Sequence, residues 1–198
     1  SSSSASFNNS SMSANQIYIG DSAQAMRGAL KLVYPMQSGI VQNWDHLQRV
    51  YDHVFSNSLK IASAAAADYC VLLTEAPNTP RQQREKLVTI MFEQFQVSHV
   101  YLANQSVLAL YAAGLTTGLV IDSGDGMTDI VPVYEGYSLP HAIQKLNVGG
   151  SDLTHYLSKI LKQRVSALKD TSAEYEIVKG VKEQLCYVAR DYNKEMEK

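Results

Sequence analysis

The chain has 198 residues, of which 45% are hydrophobic, and its 17 Lys and Arg against 19 Asp and Glu leave a formal net charge of −2. A chain of this length forms one large domain or two small ones with a sizeable core. The near-neutral charge excludes a nucleic-acid binder that depends on a bulk excess of basic residues. No apolar run is long enough to predict a membrane-spanning helix.

The two ends of the chain and its two cysteines give further information on the class of protein. Residues 1–16 include eight Ser and are otherwise rich in Asn, which predicts a low-complexity tail and not a signal peptide. The chain begins without Met and ends within a predicted helix, so we expect a fragment of a longer protein. Cys70 and Cys186 lie far apart in apolar surroundings, which predicts buried free thiols in an intracellular protein.

The first predicted elements follow the Ser/Asn-rich start. Residues 30–41 mix β-branched and apolar side chains around Gly39, which predicts a β-hairpin. Asn43 is a suitable N-cap, and the apolar spacing after it predicts a helix that runs to about Leu59. An Ala-rich connector follows at 62–67.

The next segment combines a strand with a helix. Residues 69–74 form a continuous apolar run, which predicts a strand covered on both faces. Thr79 is placed to cap the following helix, with Pro80 in its first turn and Gln82 completing a capping box. The apolar positions of this helix predict an inner stripe of Leu87, Ile90, Met91 and Phe95.

One further strand and helix are predicted before the sequence pattern changes. Residues 97–103 predict the strand, and Asn104 and Gly114 are expected to cap and close the helix. Turn signals then separate three short apolar segments, which predicts an antiparallel meander. These segments are 118–122, 127–134 and 137–139.

Two helices complete the predicted organisation. One starts at 149–151, and Thr171 with Glu174 forms a capping box that opens the other. Because strands and helices alternate over most of the chain, we expect an α/β fold with mixed sheets. The inner stripe predicted for the first of these helices is Leu153, Tyr156, Leu157, Ile160 and Leu161.

The segment richest in chemical information is 121–129, which contains a Gly-rich turn between two strands. Backbone N–H groups of such a turn can converge on an anion, since glycine allows close approach. The carboxylate of Asp122 could hold a hydrated Mg²⁺ beside that anion. A simple hairpin is the alternative, because Asp-Gly is a strong turn signal by itself.

Two helix starts offer further candidates. Gln105 lies in a predicted first turn, where N–H groups favour anions and where a Gln side chain can orient a water molecule. Small residues at 149–150 precede another helix start. The alternative at both places is ordinary capping of a helix terminus.

Several short motifs, in order along the chain, together resemble actin. Each motif is weak alone, and the ordered set is specific. The motifs include Tyr18-Ile-Gly-Asp-Ser-Ala-Gln24, Tyr34-Pro35, Asn43-Trp-Asp45, Leu72-Leu-Thr-Glu-Ala-Pro77, Asp122-Ser-Gly-Asp-Gly126, Tyr134-Glu-Gly-Tyr137, Leu139-Pro-His-Ala-Ile143 and Leu185-Cys-Tyr-Val-Ala189.

The resemblance implies a partial actin-like ATPase (ribonuclease H-like) fold, with mixed sheets from two lobes and a cleft for ATP or ADP. It implies that Asp122 binds Mg²⁺ through water, and that Gln105 and Asp129 act in the water network of catalysis. From the residues alone, Lys182 and Glu183 would be a solvated helix face. The nucleotide-binding residues that the resemblance implies are Ser123, Gly124, Asp125, Gly126, Met127, Gly150, Lys182 and Glu183.

Some positions depart from the actin pattern. Asp129 and Ser38 each stand where actin has His, and Ser151 stands where actin has Arg. An Asp at position 129 is similar to the wider superfamily of Hsp70 and bacterial actin-like filaments. No segment resembles actin's first phosphate hairpin or its downstream adenine site. A clamp with one hairpin lacks most of its converging donors, so we expect the chain alone to bind ATP weakly and not to hydrolyse it.

The resemblance implies a cytoplasmic, cytoskeletal protein that self-associates and meets actin-binding proteins, with no nucleic-acid partner. A full-length form would bind Mg-ATP and assemble into filaments with slow hydrolysis. Two alternatives stay open, namely a non-polymerising structural subunit of a larger complex and a sugar kinase. The implied organisation is a low-complexity tail (1–16), a remnant of a small outer subdomain (17–35), part of the first large subdomain (36–112), the phosphate-hairpin part of the second large subdomain (113–148) and the start of the second outer subdomain (149–198).

Overall fold

The computed structural model describes residues 4–5, 17–61, 68–164 and 171–197. The chain divides into two compact units, Ser1–Gly150 and Ser151–Lys198, and each is described by itself. The Ala-rich connector expected at 62–67 lies outside the described residues. The subdomain boundaries expected from the sequence stay predictions.

A small antiparallel sheet begins the first unit. Strand β1 (Ser4–Ala5) pairs with β2 (Tyr18–Ile19) on one side and β3 (Leu32–Val33) on the other. The short helix α1 (Asp21–Ala25) contributes Ala23 to the core beside this sheet. Part of the segment expected to be a low-complexity tail is therefore a strand, because two neighbouring strands supply hydrogen-bond partners that composition does not reveal.

The expected hairpin at 30–41 is confirmed for its second half. Strands β4 (Met36–Gln37) and β5 (Ile40–Val41) pair through a two-residue turn at Ser38 and Gly39, whose φ angles are 50° and 74°. Positive φ at both turn positions suits the twist of a tight hairpin. The N-terminal part of the segment forms β3 instead and pairs with β1.

The predicted helix after Asn43 is confirmed. Helix α2 (Trp44–His53) begins at Asn43, whose side chain accepts a hydrogen bond from the N–H of His46 at 3.0 Å. The chain then continues through a π-helical turn, Val54–Ser58, which ends near the predicted limit.

A parallel strand pair with a crossover helix forms the centre of the first unit. Strand β6 (Cys70–Glu75), helix α3 (Arg81–Glu93) and strand β7 (His99–Asn104) follow in order, and β6 and β7 run parallel in register. Met91 of α3 is fully buried in a cluster with Phe55. The predicted inner stripe of α3 is thus confirmed.

Three expectations for this region are wrong. One face of β6 is exposed, with Leu72 at 55%, since α3 covers only the other face. Thr79 does not cap α3: Pro80 occupies the N-cap position with no side-chain cap hydrogen bond, and the Thr79 hydroxyl donates to the carbonyl of Ala76 at 2.8 Å. Cys70 and Cys186 are free thiols, as expected, but both are exposed.

A four-stranded antiparallel sheet completes the first unit, and the predicted meander is confirmed. Helix α4 (Gln105–Ala112) precedes it, with Gly114 at a positive φ just beyond. The central strand β9 pairs with β8 along one edge and with β10 and β11 along the other. The strands are β8 (Gly118–Ser123), β9 (Thr128–Tyr134), β10 (Tyr137–Ser138) and β11 (Gln144–Leu146), with a 3₁₀ turn at Pro140–Ala142 before β11.

One face of this sheet is covered by α4. Leu110 of α4 packs with Val131 and Val133 of β9 in a buried cluster. The opposite face of β8 is open, with Leu119 and Ile121 exposed at 62% and 65%. Side chains alternate between the two faces along a strand, so the α4 face also carries Asp122 and Asp129, described below.

The second unit is helical in its described part. It contains α5 (Gly150–Arg164), which begins at the last residue of the first unit, then α6 (Ser172–Leu185) and α7 (Tyr192–Met196). The expected Thr171 cap is confirmed by a hydrogen bond from the N–H of Glu174 to its hydroxyl. The inner stripe predicted for α5 is wrong in part: Leu153, Tyr156 and Ile160 are exposed. None of the described helices is long and apolar enough to cross a membrane.

Candidate functional site

The Gly-rich turn between β8 and β9 is closed by two kinds of hydrogen bond. The N–H of Gly124 donates to the carbonyl of Met127 at 2.9 Å, which shapes the turn. The Thr128 hydroxyl donates its one hydrogen to the carbonyl of Val148 at 2.8 Å. The Ser123 hydroxyl, 2.9 Å from the Thr128 hydroxyl, is therefore the donor of the bond between these two side chains. These bonds fix the turn from both of its ends.

The tip of the turn carries three backbone donors that make no described hydrogen bond. No described residue accepts a hydrogen bond from the N–H groups of Asp125, Gly126 or Met127. Successive unpaired N–H groups in a turn form a concave anion-binding nest, and the glycines keep it open. The geometry therefore suits phosphate oxygens, as the sequence predicts for this segment.

Two other segments of the first unit hold the turn in place. The Ser38 hydroxyl donates to the carbonyl of Gly126 at 3.3 Å, and a Cβ at Gly126 would lie 3.0 Å from that hydroxyl. On the other side, the N–H of Gly150 donates to the carbonyl of Gly124 at 2.9 Å. A Cβ at Gly149 would lie 2.7 Å from the N of Met127, so only glycine fits there.

Two acidic residues stand at the base of the turn. Asp122 of β8 and Asp129 of β9 are register partners, and Lys145 of β11 is the partner of Asp129 on its other side. Asp129 is only 2% exposed, and its Oδ1 has no hydrogen-bond partner among the described residues. Burial raises the pKa of the Asp129 carboxyl, the nearby charge of Lys145 lowers it, and that of Asp122 raises it further.

The start of α4 carries two polar side chains. Gln105 is the first residue of the helix and is half-buried, and the Asn104 side chain caps the helix by accepting from the N–H of Ser106 at 2.9 Å. Ser106 is fully buried, and its Oγ has no hydrogen-bond partner in the described part of the chain. Sequence reasoning missed Ser106. The available signal was its position one helical turn before the buried Leu110.

The remaining predicted site residues lie at or beyond the end of the first unit. Gly150 starts α5 and touches the turn through its N–H. Lys182 and Glu183 lie on α6 in the second unit, where Lys182 is half-buried and Glu183 exposed. Their roles toward a nucleotide stay predictions.

The residues at the turn fit a hydrated Mg²⁺ beside a phosphate. Asp122 is a half-buried carboxylate at the end of β8, and the Asp129 Oδ1 beside it is buried without a described partner. Within residues 4–5, 17–61, 68–164 and 171–197, no group of three or more His, Cys, Asp or Glu could hold a metal ion. A cation at this site would therefore keep water or phosphate ligands, as Mg²⁺ does.

These features define a protein of mixed α/β fold with a Gly-rich strand–turn–strand and an adjoining carboxylate. A family model described as Actin matches residues 2–198. The chain belongs to the actin family, and its several sheets and helices agree with the actin-like ATPase fold. The family generally binds ATP or ADP with Mg²⁺.

Proposed function

We propose that this chain is part of an actin-like cytoskeletal protein whose full-length form binds Mg-ATP, assembles into filaments and hydrolyses ATP slowly. The observation that carries the proposal is the turn at 124–127, which presents three unpaired N–H groups and is held from both sides. A preorganised set of donors of this kind binds phosphate oxygens without having to reorganise first.

Each site residue has a role in the proposal. The N–H groups of Asp125, Gly126 and Met127 hold phosphate oxygens, and Asp122 accepts hydrogen bonds from water on the cation. Gln105, at the positive end of α4, orients the attacking water.

Two further groups complete the proposed site. Asp129, the buried register partner of Asp122 on β9, accepts from the same water network. Lys182 and Glu183 of α6 flank the adenosine. When bound, Mg²⁺ would neutralise phosphate charge that the backbone donors alone leave uncompensated.

The 198-residue chain by itself is expected to bind Mg-ATP weakly and to lack hydrolysis. One turn supplies donors to only one side of the phosphates, and hydrolysis requires the reacting groups to be held in place. Isothermal titration of the chain with Mg-ATP tests this expectation. A micromolar dissociation constant would contradict it.

The full-length protein is the material for testing the main proposal. Incubation with Mg-ATP followed by sedimentation is expected to give a polymer in the pellet, with phosphate released after assembly. The matched control omits the nucleotide. If no polymer sediments although Mg-ATP binds, the filament-forming proposal is wrong.

A non-polymerising structural subunit of a larger complex is the second candidate. It is favoured by Asp129, a buried carboxylate that stands where actin has a His. Such a substitution alters the water network while the turn can still bind a nucleotide. Under either proposal the partners are actin-like subunits and actin-binding proteins, and the location is the cytoplasmic cytoskeleton.

A further inference from the structure

The 147–150 segment, which connects β11 to α5, lies against the backbone of the Gly-rich turn. The N–H of Gly150 donates to the carbonyl of Gly124 at 2.9 Å, so the Gly124 oxygen is directed toward this segment. A Cβ at Gly149 would lie against the carbonyl oxygen of Asp125, which is closer to it than the carbonyl carbon at 2.8 Å. Two successive carbonyl groups of the turn, those of Gly124 and Asp125, therefore face the 147–150 segment.

The planar peptide bond gives the following N–H groups a common direction. In a trans peptide the carbonyl of one residue and the N–H of the next point in opposite directions. The N–H groups of Asp125 and Gly126 therefore point together away from the 147–150 segment. Successive N–H groups on one side of a turn form the concave site that binds an anion. The Met127 N–H is oriented separately, because the carbonyl of the same peptide, at Gly126, accepts from Ser38.

A side-chain hydroxyl ties the 147–150 segment to the sheet. Thr128, the first residue of β9, donates to the carbonyl of Val148 at 2.8 Å. The hydroxyl of Ser123, at the end of β8, lies 2.9 Å from the Thr128 hydroxyl and donates to it. Hydrogen bonds in such a chain polarise and strengthen one another. Thr128 thus joins both strands to the 147–150 segment, at the residue next to Gly149.

This hydrogen bond matters because much of the 147–150 segment is open to solvent. Asn147 and Val148 are exposed, whereas Gly149 is buried. Apolar burial therefore contributes little to holding the segment, and its hydrogen bonds to the turn and to Thr128 contribute more. If the segment moves away, the carbonyl groups that face it are released, and the N–H groups that follow them lose their fixed direction.

We infer that Thr128 is a positioning residue of the proposed phosphate site: its hydroxyl holds the 147–150 segment against the turn and so directs the N–H groups of Asp125 and Gly126 toward one anion. The inference rests on the proposed function, which assigns phosphate to these donors, and it adds the side chain that orients them. Ser123 acts through Thr128, since its hydroxyl donates to that residue. This role differs from the direct nucleotide contact that the resemblance implies for Ser123.

Inorganic pyrophosphate is the probe for the first test, because it presents phosphate oxygens without the rest of a nucleotide. The ¹⁵N-labelled chain is titrated with it, and the amide signals of Asp125 and Gly126 are followed by nuclear magnetic resonance. Thr128→Val removes the hydroxyl at nearly constant shape and is expected to weaken binding about fivefold, as the loss of one hydrogen bond does. Thr128→Ser keeps the hydroxyl and is expected to bind as the wild type does.

The second test follows the 147–150 segment itself without any ligand. The N–H of Gly150 is bonded to the turn, so its exchange with deuterated solvent is expected to be about tenfold faster in Thr128→Val and unchanged in Thr128→Ser. Thr117→Val is the matched control, because the Thr117 hydroxyl accepts from the N–H of Glu135 at the opposite end of β8. This control should leave both readouts unchanged. Circular dichroism shows whether each variant is folded, and Thr128→Ala is measured in place of Thr128→Val if that variant is not.

Three results would overturn the inference. The first is equal pyrophosphate affinity in the wild type and Thr128→Val, even if Gly150 exchanges faster, since Thr128 would then be only structural. The second is weakened binding that Thr128→Ser does not restore, which would assign the effect to side-chain packing and not to the hydroxyl. The third is unchanged exchange at Gly150 in Thr128→Val, because the 147–150 segment would then stay in place without the hydroxyl.

Failure of this inference can be told apart from failure of the proposed function. If the amides of Asp125 and Gly126 do not respond to pyrophosphate while the full-length protein binds Mg-ATP, the inference is wrong and the proposed function stands. If the full-length protein does not bind Mg-ATP although Thr128→Val weakens pyrophosphate binding, the proposed function is wrong and the positioning by Thr128 stands.

Discussion

Replacement of Gly149 by Ala tests how closely the 147–150 segment fits against the Gly-rich turn. The new Cβ would lie 2.7 Å from the N of Met127 and also against the carbonyl of Asp125, and both are backbone atoms that cannot rotate away. Either the turn or the segment must shift. Overpacking of this kind costs about 1–3 kcal/mol, so we expect the free energy of unfolding of Gly149→Ala to fall by about 2 kcal/mol.

Urea unfolding followed by the fluorescence of Trp44, the single Trp of the chain, measures this change in the unit that contains the turn. Gly28→Ala is the matched control, because nothing lies within 4 Å of a Cβ at Gly28 and its φ is not positive. The control is expected to be as stable as the wild type or slightly more so. If Gly149→Ala unfolds at the same urea concentration as Gly28→Ala, the close packing of the turn described above is wrong.

Three other predictions concern a buried charge, a helix cap and a helix interior. Folding raises the Asp129 pKa above its ordinary 3.8, so the folded state binds this proton more tightly than the unfolded state does. The free energy of unfolding of the wild type therefore falls as pH rises through the folded pKa. In metal-free urea unfolding, the stability of Asp129→Asn relative to the wild type should therefore increase as pH rises from the ordinary Asp pKa of 3.8 through the raised folded value, and a constant difference would contradict this. Asn104→Ala removes the cap of α4 and should cost about 1 kcal/mol in the same assay, whereas an unchanged midpoint would show that the cap bond adds nothing. Gly180 lies inside α6, and nothing lies within 4 Å of a Cβ placed on it. Gly180→Ala should therefore raise the stability of the helix by about 1 kcal/mol. A lower thermal midpoint by circular dichroism would contradict the conclusion that the space around Gly180 is open.

Local signals in the sequence predicted the helix starts well. Asn43, Asn104 and Thr171 each accept the expected backbone hydrogen bond, because an N-cap depends on residues only two or three positions away. Thr79 shows the limit of such signals. The helix begins after Pro80, one residue later than expected, and the Thr79 hydroxyl donates to the carbonyl of Ala76.

Burial was predicted less well than the elements themselves. Leu72 and Cys70 lie in an apolar strand, yet one face of that strand is exposed in the described structure, since a single helix covers the other. An apolar run predicts that a segment can be buried. Which face is covered depends on distant elements, and local composition does not contain that information.

The sequence by itself determined the Gly-rich turn, the carboxylate of Asp122 at the end of its strand, and the order of strands and helices around them, because turn and strand preferences act over a few neighbouring residues. The tertiary structure decided what surrounds the turn. Ser38 reaches Gly126 across 88 positions of the chain, and the register of β8 and β9 sets Asp122 opposite Asp129. These contacts join distant segments, so their positions follow from the packing of whole elements and not from local preference.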